Sequence, residues 1–144
     1  MAADAPALAE VFLAARRAMA YLPRLHTEAE TRDWMAEVVV PGRTVAVVTD
    51  GSGMVLGFCA LLGRRLEHLY VAPASQGHGH GCALVAWAQA ASPAGLDLWV
   101  FERNTRAVAF YQRHGFGVVR HTDGAGNEEH EPDVLMAWSS PAAP

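Results

Sequence analysis

The sequence predicts a mixed α/β fold, in which a mostly antiparallel twisted sheet is flanked by helices. Two segments with helical periodicity come first, and three short apolar runs separated by turn residues follow them. Helical and strand patterns then alternate to the end of the chain, with a crossover helix between the third and fourth strands. The chain has 144 residues, of which 51% are hydrophobic, and we expect one domain over residues 1–144.

The two N-terminal helices have sequence signals at their ends. Asp4 can cap a helix through the segment ALAEVFLAARRAMA, whose apolar residues fall on one face. Thr27, followed three residues later by Glu30, has the pattern of a capping box for the second helix. Pro41 and Gly42 are expected to end that helix.

Six strands and two further helices are predicted after these. The first two strands, residues 44–49 and 54–62, are joined by the turn sequence DGSG, and Gly57 indicates a bulge in the second. The third strand is predicted at residues 66–71. The remaining elements are a helix at 81–91, a strand at 96–101, a helix at 105–114, and strands at 117–122 and 134–138.

Composition excludes several functional classes. The net charge of −4 and the scattered arginines argue against a nucleic-acid partner, which needs a basic patch. No apolar run is long enough to span a membrane, and the N-terminus does not resemble a secretory signal. Cys59 and Cys82 lie in apolar surroundings, so we expect buried free thiols and a cytoplasmic protein.

A glycine-rich stretch, SQGHGHGC at residues 75–82, follows the third predicted strand and precedes a helix. Unpaired N–H groups in the first turn of a helix bind anions, and glycine lets the backbone approach a phosphate closely. The Walker pattern fails because the chain has no lysine, and the dinucleotide pattern fails because Cys82 occupies its last glycine position. The pattern Q-x-x-G-x-G fits, with Gln76, Gly79 and Gly81.

A second block strengthens the interpretation of this loop. The segment LDLWVFERNTRAVAFYQRHGFGVV contains N-x-x-A-x-x-x-Y-x-x-x-G-F, with Asn104 and Tyr111 at its polar positions. Both blocks resemble the signatures of the GNAT superfamily of acetyl-CoA-dependent N-acetyltransferases, and the resemblance covers roughly residues 54–138. It implies the GNAT-type acyl-CoA N-acyltransferase fold and acetyl-CoA as co-substrate. It also implies direct transfer of the acetyl group to an amine in a ternary complex.

The resemblance places acetyl-CoA between the third and fourth strands. The backbone of the third strand would pair with the pantetheine arm like an added strand. N–H groups of the loop would hold the pyrophosphate, and Asn104 is either a contact to the cofactor arm or only a helix cap. The predicted cofactor-binding residues are Leu69, Tyr70, Val71, Gln76, Gly77, His78, Gly79, His80, Gly81, Cys82 and Asn104.

Three residues are candidates for the chemistry. Tyr111 is protonated at neutral pH and is the predicted general acid, with aromatic packing as the alternative. Glu67 is the candidate base, or the holder of a water that acts as base; otherwise it is a solvated carboxylate. His68 is the second choice, because strand alternation turns it to the other face and a bulge would exchange the two roles.

Other features bear on metals, acceptors and assembly. His78 and His80 lack further converging ligands, so no metal is expected. The acidic cluster Glu128, Glu129, Glu131 and Asp133 either attracts a cationic amine or is a solvated loop. Members of the family that the chain resembles usually begin with a further strand, and here either that strand is missing or the chain begins after it. Residues 44–49 would then form an edge, which predicts a homodimer unless the first helix shields that edge. The alternative to catalysis is an acyl-CoA-binding sensor or regulator.

Overall fold

The computed structural model describes residues 4–140 and contains a six-stranded sheet with helices on both faces. The strands differ from the predicted ones by at most one residue at either end. They are β1 (Thr44–Thr49), β2 (Val55–Leu62), β3 (Arg65–Val71), β4 (Leu96–Phe101), β5 (Gly117–His121) and β6 (Asp133–Trp138). The helices are α1 (Ala5–Arg17), α2 (Glu28–Trp34), α3 (Val40–Gly42), α4 (His80–Ala91) and α5 (Thr105–Arg113).

The sheet has the order β1-β2-β3-β4-β6-β5, and all neighbours are antiparallel except β3 and β4. The predicted crossover through α4 connects these two parallel strands. They pair at one position only, Arg65 with Asp97, and then diverge. The predicted mixed α/β fold is therefore confirmed, and it contains a split sheet at its centre.

Local signals explain the N-terminal helices. The capping box is present, since the Thr27 hydroxyl accepts from the Glu30 N–H at 3.0 Å and the Glu30 carboxylate accepts from the Thr27 N–H at 2.8 Å. Asp4 occupies the N-cap of α1, but its side chain makes no capping hydrogen bond. A π-helical turn, Met35–Val39, follows α2, because the Val40 N–H bonds to the Met35 carbonyl and Pro41 has no N–H to continue the ladder.

The sheet has a hydrophobic cluster on each face. One cluster packs α4 and α5 against the sheet through Leu84, Val85, Leu98 and Met136. The other packs α1 and the second helical segment against the sheet and is centred on Leu8, Met35 and Phe58, all fully buried. The first cluster includes residues from strands on both sides of the split, whereas the sheet residues of the second belong to β1, β2 and β3. In residues 4–140, no helix is both long and apolar enough to cross a membrane.

Three β-bulges interrupt the strand pairing. Their extra residues are Leu56 in β2, Glu67 in β3 and Val119 in β5. The prediction of a bulge at Gly57 was wrong by one position. Gly57 instead allows close approach of β2 and β3, since a Cβ there would lie 2.9 Å from the Tyr70 carbonyl oxygen.

Candidate active site

The divergence of β3 and β4 leaves a cleft of about 680 Å³ at the centre of the sheet. The cleft is closed where β3 and β4 pair, at Arg65 and Asp97. There the Arg65 side chain also forms an ion pair with the Asp97 carboxylate. Its walls contain apolar side chains of both strands and residues from the end of α1, the start of α4 and one side of α5. Beyond Arg65, the edge of β3 that faces β4 has no strand partner among the described residues.

The glycine loop lies at the open end of this cleft. Gly77 and Gly79 have φ angles of +82° and +84°, and a Cβ at either would point into open space. Gly79 is the N-cap of α4, and no side chain caps the first turn, so the N–H groups of that turn are available to a ligand. The Gln76 side-chain amide donates to the Val71 carbonyl oxygen at 3.1 Å and ties the loop to the end of β3.

The structure brings ten of the eleven predicted cofactor-binding residues to the cleft wall. They are Leu69, Tyr70, Val71, Gln76, Gly77, Gly79, His80, Gly81, Cys82 and Asn104. His78 is exposed and does not line the cleft. Asn104 caps α5, since its Oδ1 accepts from the Ala107 N–H at 3.2 Å. It also lines the cleft, so its position is compatible with a helix cap and with a contact to the cofactor arm.

The two cysteines differ in environment, and the expectation that both are buried was wrong for one of them. Cys59 is buried, and burial raises the pKa of its thiol to about 12. Cys82 is exposed because it lies in the first turn of α4, on the side that faces the cleft. Both thiols are free.

Tyr111 lies on α5, where it is 8% exposed and lines the cleft. Its ring contacts the rings of Phe110 and Phe116, with centroids 5.2 Å and 5.4 Å away. Burial raises the pKa of its phenol further above the ordinary value of 10.0. The hydroxyl therefore keeps its proton at neutral pH, as a general acid must.

Glu67 is the extra residue of the β3 bulge, and it lines the cleft. Leu66 and Leu69 are three residues apart, so in a regular strand their side chains would point to opposite faces. Because of the bulge they point to the same face and pack into the same hydrophobic cluster. The Arg43 guanidinium forms an ion pair with the Glu67 carboxylate, and the two side chains are 21% and 24% exposed. Glu67 is thus held at the cleft, although its carboxylate already has a partner.

His68 lies outside the cleft, in an aromatic cluster. Its ring centroid is 5.2 Å from that of Trp34 and 6.1 Å from that of Phe12. Burial lowers the pKa of the imidazole to about 4, and its Nδ1 is buried without a hydrogen-bond partner. The ring is neutral at pH 7, but no cleft surface lies against it, so Glu67 is the better placed of the two candidate bases.

The acidic cluster of the β5–β6 loop is not a free acidic patch. Each carboxylate has a partner: Glu128 with His26, Glu129 with Arg16 at 2.7 Å, Glu131 with Arg103 at 3.2 Å, and Asp133 with Thr122 and Asn127. The first two pairs connect the loop to α1 and to the segment that follows α1. The loop is therefore folded against the N-terminal helices beside the cleft.

A second cavity of about 490 Å³ lies between the end of β4 and this loop. Trp99, Val100 and Phe101 line both this cavity and the cleft, so the two spaces adjoin at the end of β4. Tyr21 packs edge-on against Phe101, with ring centroids 6.2 Å apart. Sequence reasoning missed these aromatic residues, although alternation in LDLWVF places Trp99 and Phe101 opposite the core-facing Leu98 and Val100.

The paired histidines of the glycine loop have no metal-site geometry. The rings of His78 and His80 have centroids 6.2 Å apart. Within residues 4–140, no group of three or more His, Cys, Asp or Glu side chains is arranged to hold a metal ion.

Comparison with known proteins agrees with this geometry. Residues 41–118, more than half of the chain, match the model described as the acetyltransferase (GNAT) domain. The chain belongs to the GNAT acetyltransferase family. Acetyl-CoA is the acyl donor of that family, and the predicted family, enzyme class and co-substrate are those of its members.

The chain is similar to two curated bacterial N-acetyltransferases. It is 37% identical over 93 residues to the peptidyl-lysine N-acetyltransferase YiaC of Escherichia coli, a match that covers 63% of this chain and 61% of YiaC. It is 34% identical over 95 residues to the peptidyl-lysine N-acetyltransferase YjaB of Salmonella typhimurium, covering 66% of this chain and 64% of YjaB. The matches therefore span less than two thirds of either relative.

Solved structures share the GNAT fold of the chain. Apo-form YjaB from Escherichia coli has a TM-score of 0.76 and 23% identity, with 96% of this chain and 93% of YjaB covered. A Bacillus anthracis structure in complex with acetyl coenzyme A has a TM-score of 0.59 and 19% identity, with 67% and 62% of the two chains covered.

Proposed function

We propose that this chain is an N-acetyltransferase that moves the acetyl group of acetyl-CoA to the side-chain amine of lysine, by direct attack in a ternary complex. The observation that supports it best is the open cleft between β3 and β4. The cleft has a glycine loop at one end and adjoins a second cavity at the end of β4. One space suits a long anionic donor, and the other suits a separate acceptor.

The residues present fit acetyl-CoA. Gly77 and Gly79 have left-handed backbone conformations with open space where a Cβ would be, so their N–H groups can approach a pyrophosphate. The unpaired edge of β3 suits an extended pantetheine arm. When bound, acetyl-CoA supplies an acetyl group activated as a thioester.

Two side chains perform the proton transfers in this proposal. Glu67 accepts a proton from the acceptor ammonium, directly or through a water, which leaves a neutral amine to form the new C–N bond. Tyr111 donates its proton to the sulfur as the C–S bond breaks, and the proton that the attacking nitrogen loses on becoming an amide returns Tyr111 to its phenol form. Because Tyr111 lies on α5 and Glu67 on β3, the two groups approach the cleft from different elements.

Lysine is proposed as the acceptor because YiaC and YjaB are named peptidyl-lysine N-acetyltransferases. The second cavity is compatible with this side chain, since the rings of Trp99 and Phe101 offer an apolar surface to its methylene groups. A cytoplasmic location is part of the proposal and rests on the two free thiols.

The direct test is acetyl-CoA turnover with lysine peptides, followed with a thiol reagent that detects released CoA. We expect acetyl-CoA to raise the melting temperature and the peptides to be acetylated on the side-chain amine, as mass spectrometry would show. A protein that binds acetyl-CoA but acetylates no peptide or small amine would be the sensor instead. Absence of any acetyl-CoA binding at millimolar concentration would contradict the whole proposal.

A further inference from the structure

The second cavity contains three charged side chains, and two of them are already engaged. The Glu129 carboxylate is paired with Arg16 at 2.7 Å. Asp133 accepts hydrogen bonds from Thr122 and, at 3.1 Å, from the Asn127 amide. The third is Arg120, whose side chain forms no ion pair or hydrogen bond within the described residues 4–140. Its guanidinium lies over the Trp99 ring, with the central carbon 5.5 Å from the ring centroid.

A bulge directs Arg120 into this cavity. Val118 pairs with Met136 and Arg120 pairs with Leu135, so Val119 is the extra residue in β5. Leu135 is also the partner of Trp99 on its other side, which puts Arg120, Leu135 and Trp99 in one row across three strands. With regular pairing, Arg120 would oppose Val134 and its side chain would point to the opposite face.

The guanidinium contacts the indole without forming a hydrogen bond, so its N–H groups are available to a ligand. A cation on an aromatic surface is held in place at little cost in conformational freedom, and its planar donors match a carboxylate in two-point geometry. The cavity also adjoins the cleft at Trp99, Val100 and Phe101, where the proposed acetyl transfer takes place.

We propose that Arg120 binds a carboxylate close to the acceptor amine, and that the enzyme therefore prefers acceptors in which an acidic group neighbours the amine. This inference rests on the proposed acetyltransferase function. The carboxylate has two potential sources, an Asp or Glu side chain beside lysine in a peptide, and the α-carboxylate of a free amino acid.

The test compares acceptors that differ only in this carboxylate. In the peptide arm, Ac-Glu-Lys-Glu-NH₂ is compared with Ac-Gln-Lys-Gln-NH₂, and in the amino-acid arm, lysine is compared with lysinamide. We expect kcat/KM to be about five- to twentyfold higher for the acidic member of one pair, which identifies the source. The preference should decrease with added salt, because Arg120 is exposed.

Arg120→Gln should remove the preference, so that the acidic and neutral member of each pair are used equally, and Arg120→Lys should restore part of it. Arg64→Gln is the matched control: it removes the same charge from an exposed arginine at the turn between β2 and β3. Equal kcat/KM for both members of both pairs, or a preference that survives Arg120→Gln, would overturn the inference while the acetyltransferase function stands.

Binding provides a readout that does not need turnover. Conjugates of CoA with the same two peptides, joined at the lysine nitrogen, should bind with affinities that differ by the same factor, and Arg120→Gln should equalise them. Equal affinities in the wild-type protein would overturn the inference alone. If neither conjugate binds, the proposed function fails as well.

Discussion

At the residue scale, the site depends on a few side chains whose surroundings fix their protonation or their direction. Burial raises the pKa of the Tyr111 phenol above its ordinary value, and Glu67 faces the cleft because a bulge and an ion pair hold it there. These two residues can be tested separately, because they lie on different elements and have different roles in the proposed reaction.

Replacement of Tyr111 by Phe removes the proposed proton donor and keeps the ring contacts with Phe110 and Phe116. We expect kcat to fall about tenfold to a thousandfold, with acetyl-CoA binding almost unchanged. Steady-state kinetics and the acetyl-CoA melting shift are the two measurements. Unchanged kcat would assign Tyr111 a packing role.

Replacement of Glu67 by Gln removes the proposed base. The loss of rate should be largest at low pH, where the acceptor is mostly ammonium and must lose a proton before attack. The measurement is the pH dependence of kcat/KM. Glu10→Gln, at an exposed carboxylate paired with Arg32, is the control for a change of charge. Superimposable pH profiles of Glu67→Gln and the wild-type protein would show that the base is another group.

The burial of His68 should make the stability of the protein depend on pH. The pKa of the buried imidazole is about 4, below the value of 6.5 for an exposed histidine, so the unfolded chain binds the proton more readily. Stability should therefore fall as pH drops from 6.5 towards 4, by up to about 3 kcal/mol from this residue alone.

Denaturant unfolding at several pH values measures this effect. His68→Phe keeps a ring in the cluster and should flatten the dependence between pH 4 and 6.5. His121→Gln, at a histidine whose side chain is 62% exposed, should leave the dependence as it is in the wild-type protein. An equal flattening in both variants would mean that the burial of His68 is not its cause.

At the scale of elements, the loop before α4 and the split between β3 and β4 form one binding device. The helix presents its N–H groups at the open end of the split, and the apolar side of α4 fixes it to the sheet through Leu84 and Val85. The loop can be blocked without removing any contact of the fold, because the space beside Gly79 is open.

Replacement of Gly79 by Asp puts a carboxylate where the pyrophosphate is proposed to bind. The melting shift caused by acetyl-CoA should disappear, because the two anions repel and a side chain at φ +84° distorts the loop. Gly53→Asp is the matched control: Gly53 has a φ of +88° and open space in the β1–β2 turn, away from the cleft. The melting shift that acetyl-CoA causes in Gly53→Asp should equal the shift in the wild-type protein.

At the scale of the whole molecule, β1 is an edge of the six-stranded sheet formed by the described residues. Its outward side presents backbone groups without a strand partner, and Val47 is 37% exposed. Such edges associate unless they are covered. We expect a homodimer that pairs through β1.

Sedimentation at micromolar concentration tests this expectation. The mass should be twice 15.4 kDa, and Val47→Lys should return the protein to the monomer. Met54→Lys, at an exposed residue outside β1, should leave the dimer intact. A single species of 15.4 kDa in the wild-type protein would show that the edge is protected within one chain.

The sequence was sufficient for the strands, the family and the glycine loop, because alternation, glycine spacing and the block around Tyr111 are local signals. It was not sufficient for contacts between distant segments. Which elements pack together decides the exposure of Cys82. It also decides that Arg43 pairs with Glu67 and Arg16 with Glu129. A bulge in the third strand was considered without being placed at Glu67, and the bulge at Val119 was not predicted, because one extra residue in a strand leaves no mark in its apolar pattern.

The bulge at Val119 has a consequence for how acceptor preference can change in descendants of this gene. A deletion of that single codon would leave Arg120 in the protein but turn its side chain to the other face of the sheet. The acceptor preference proposed for Arg120 would then be lost without replacement of any residue proposed to contact the acceptor. Alignments of related genes should therefore be read for one-residue gaps in this strand as closely as for substitutions at position 120.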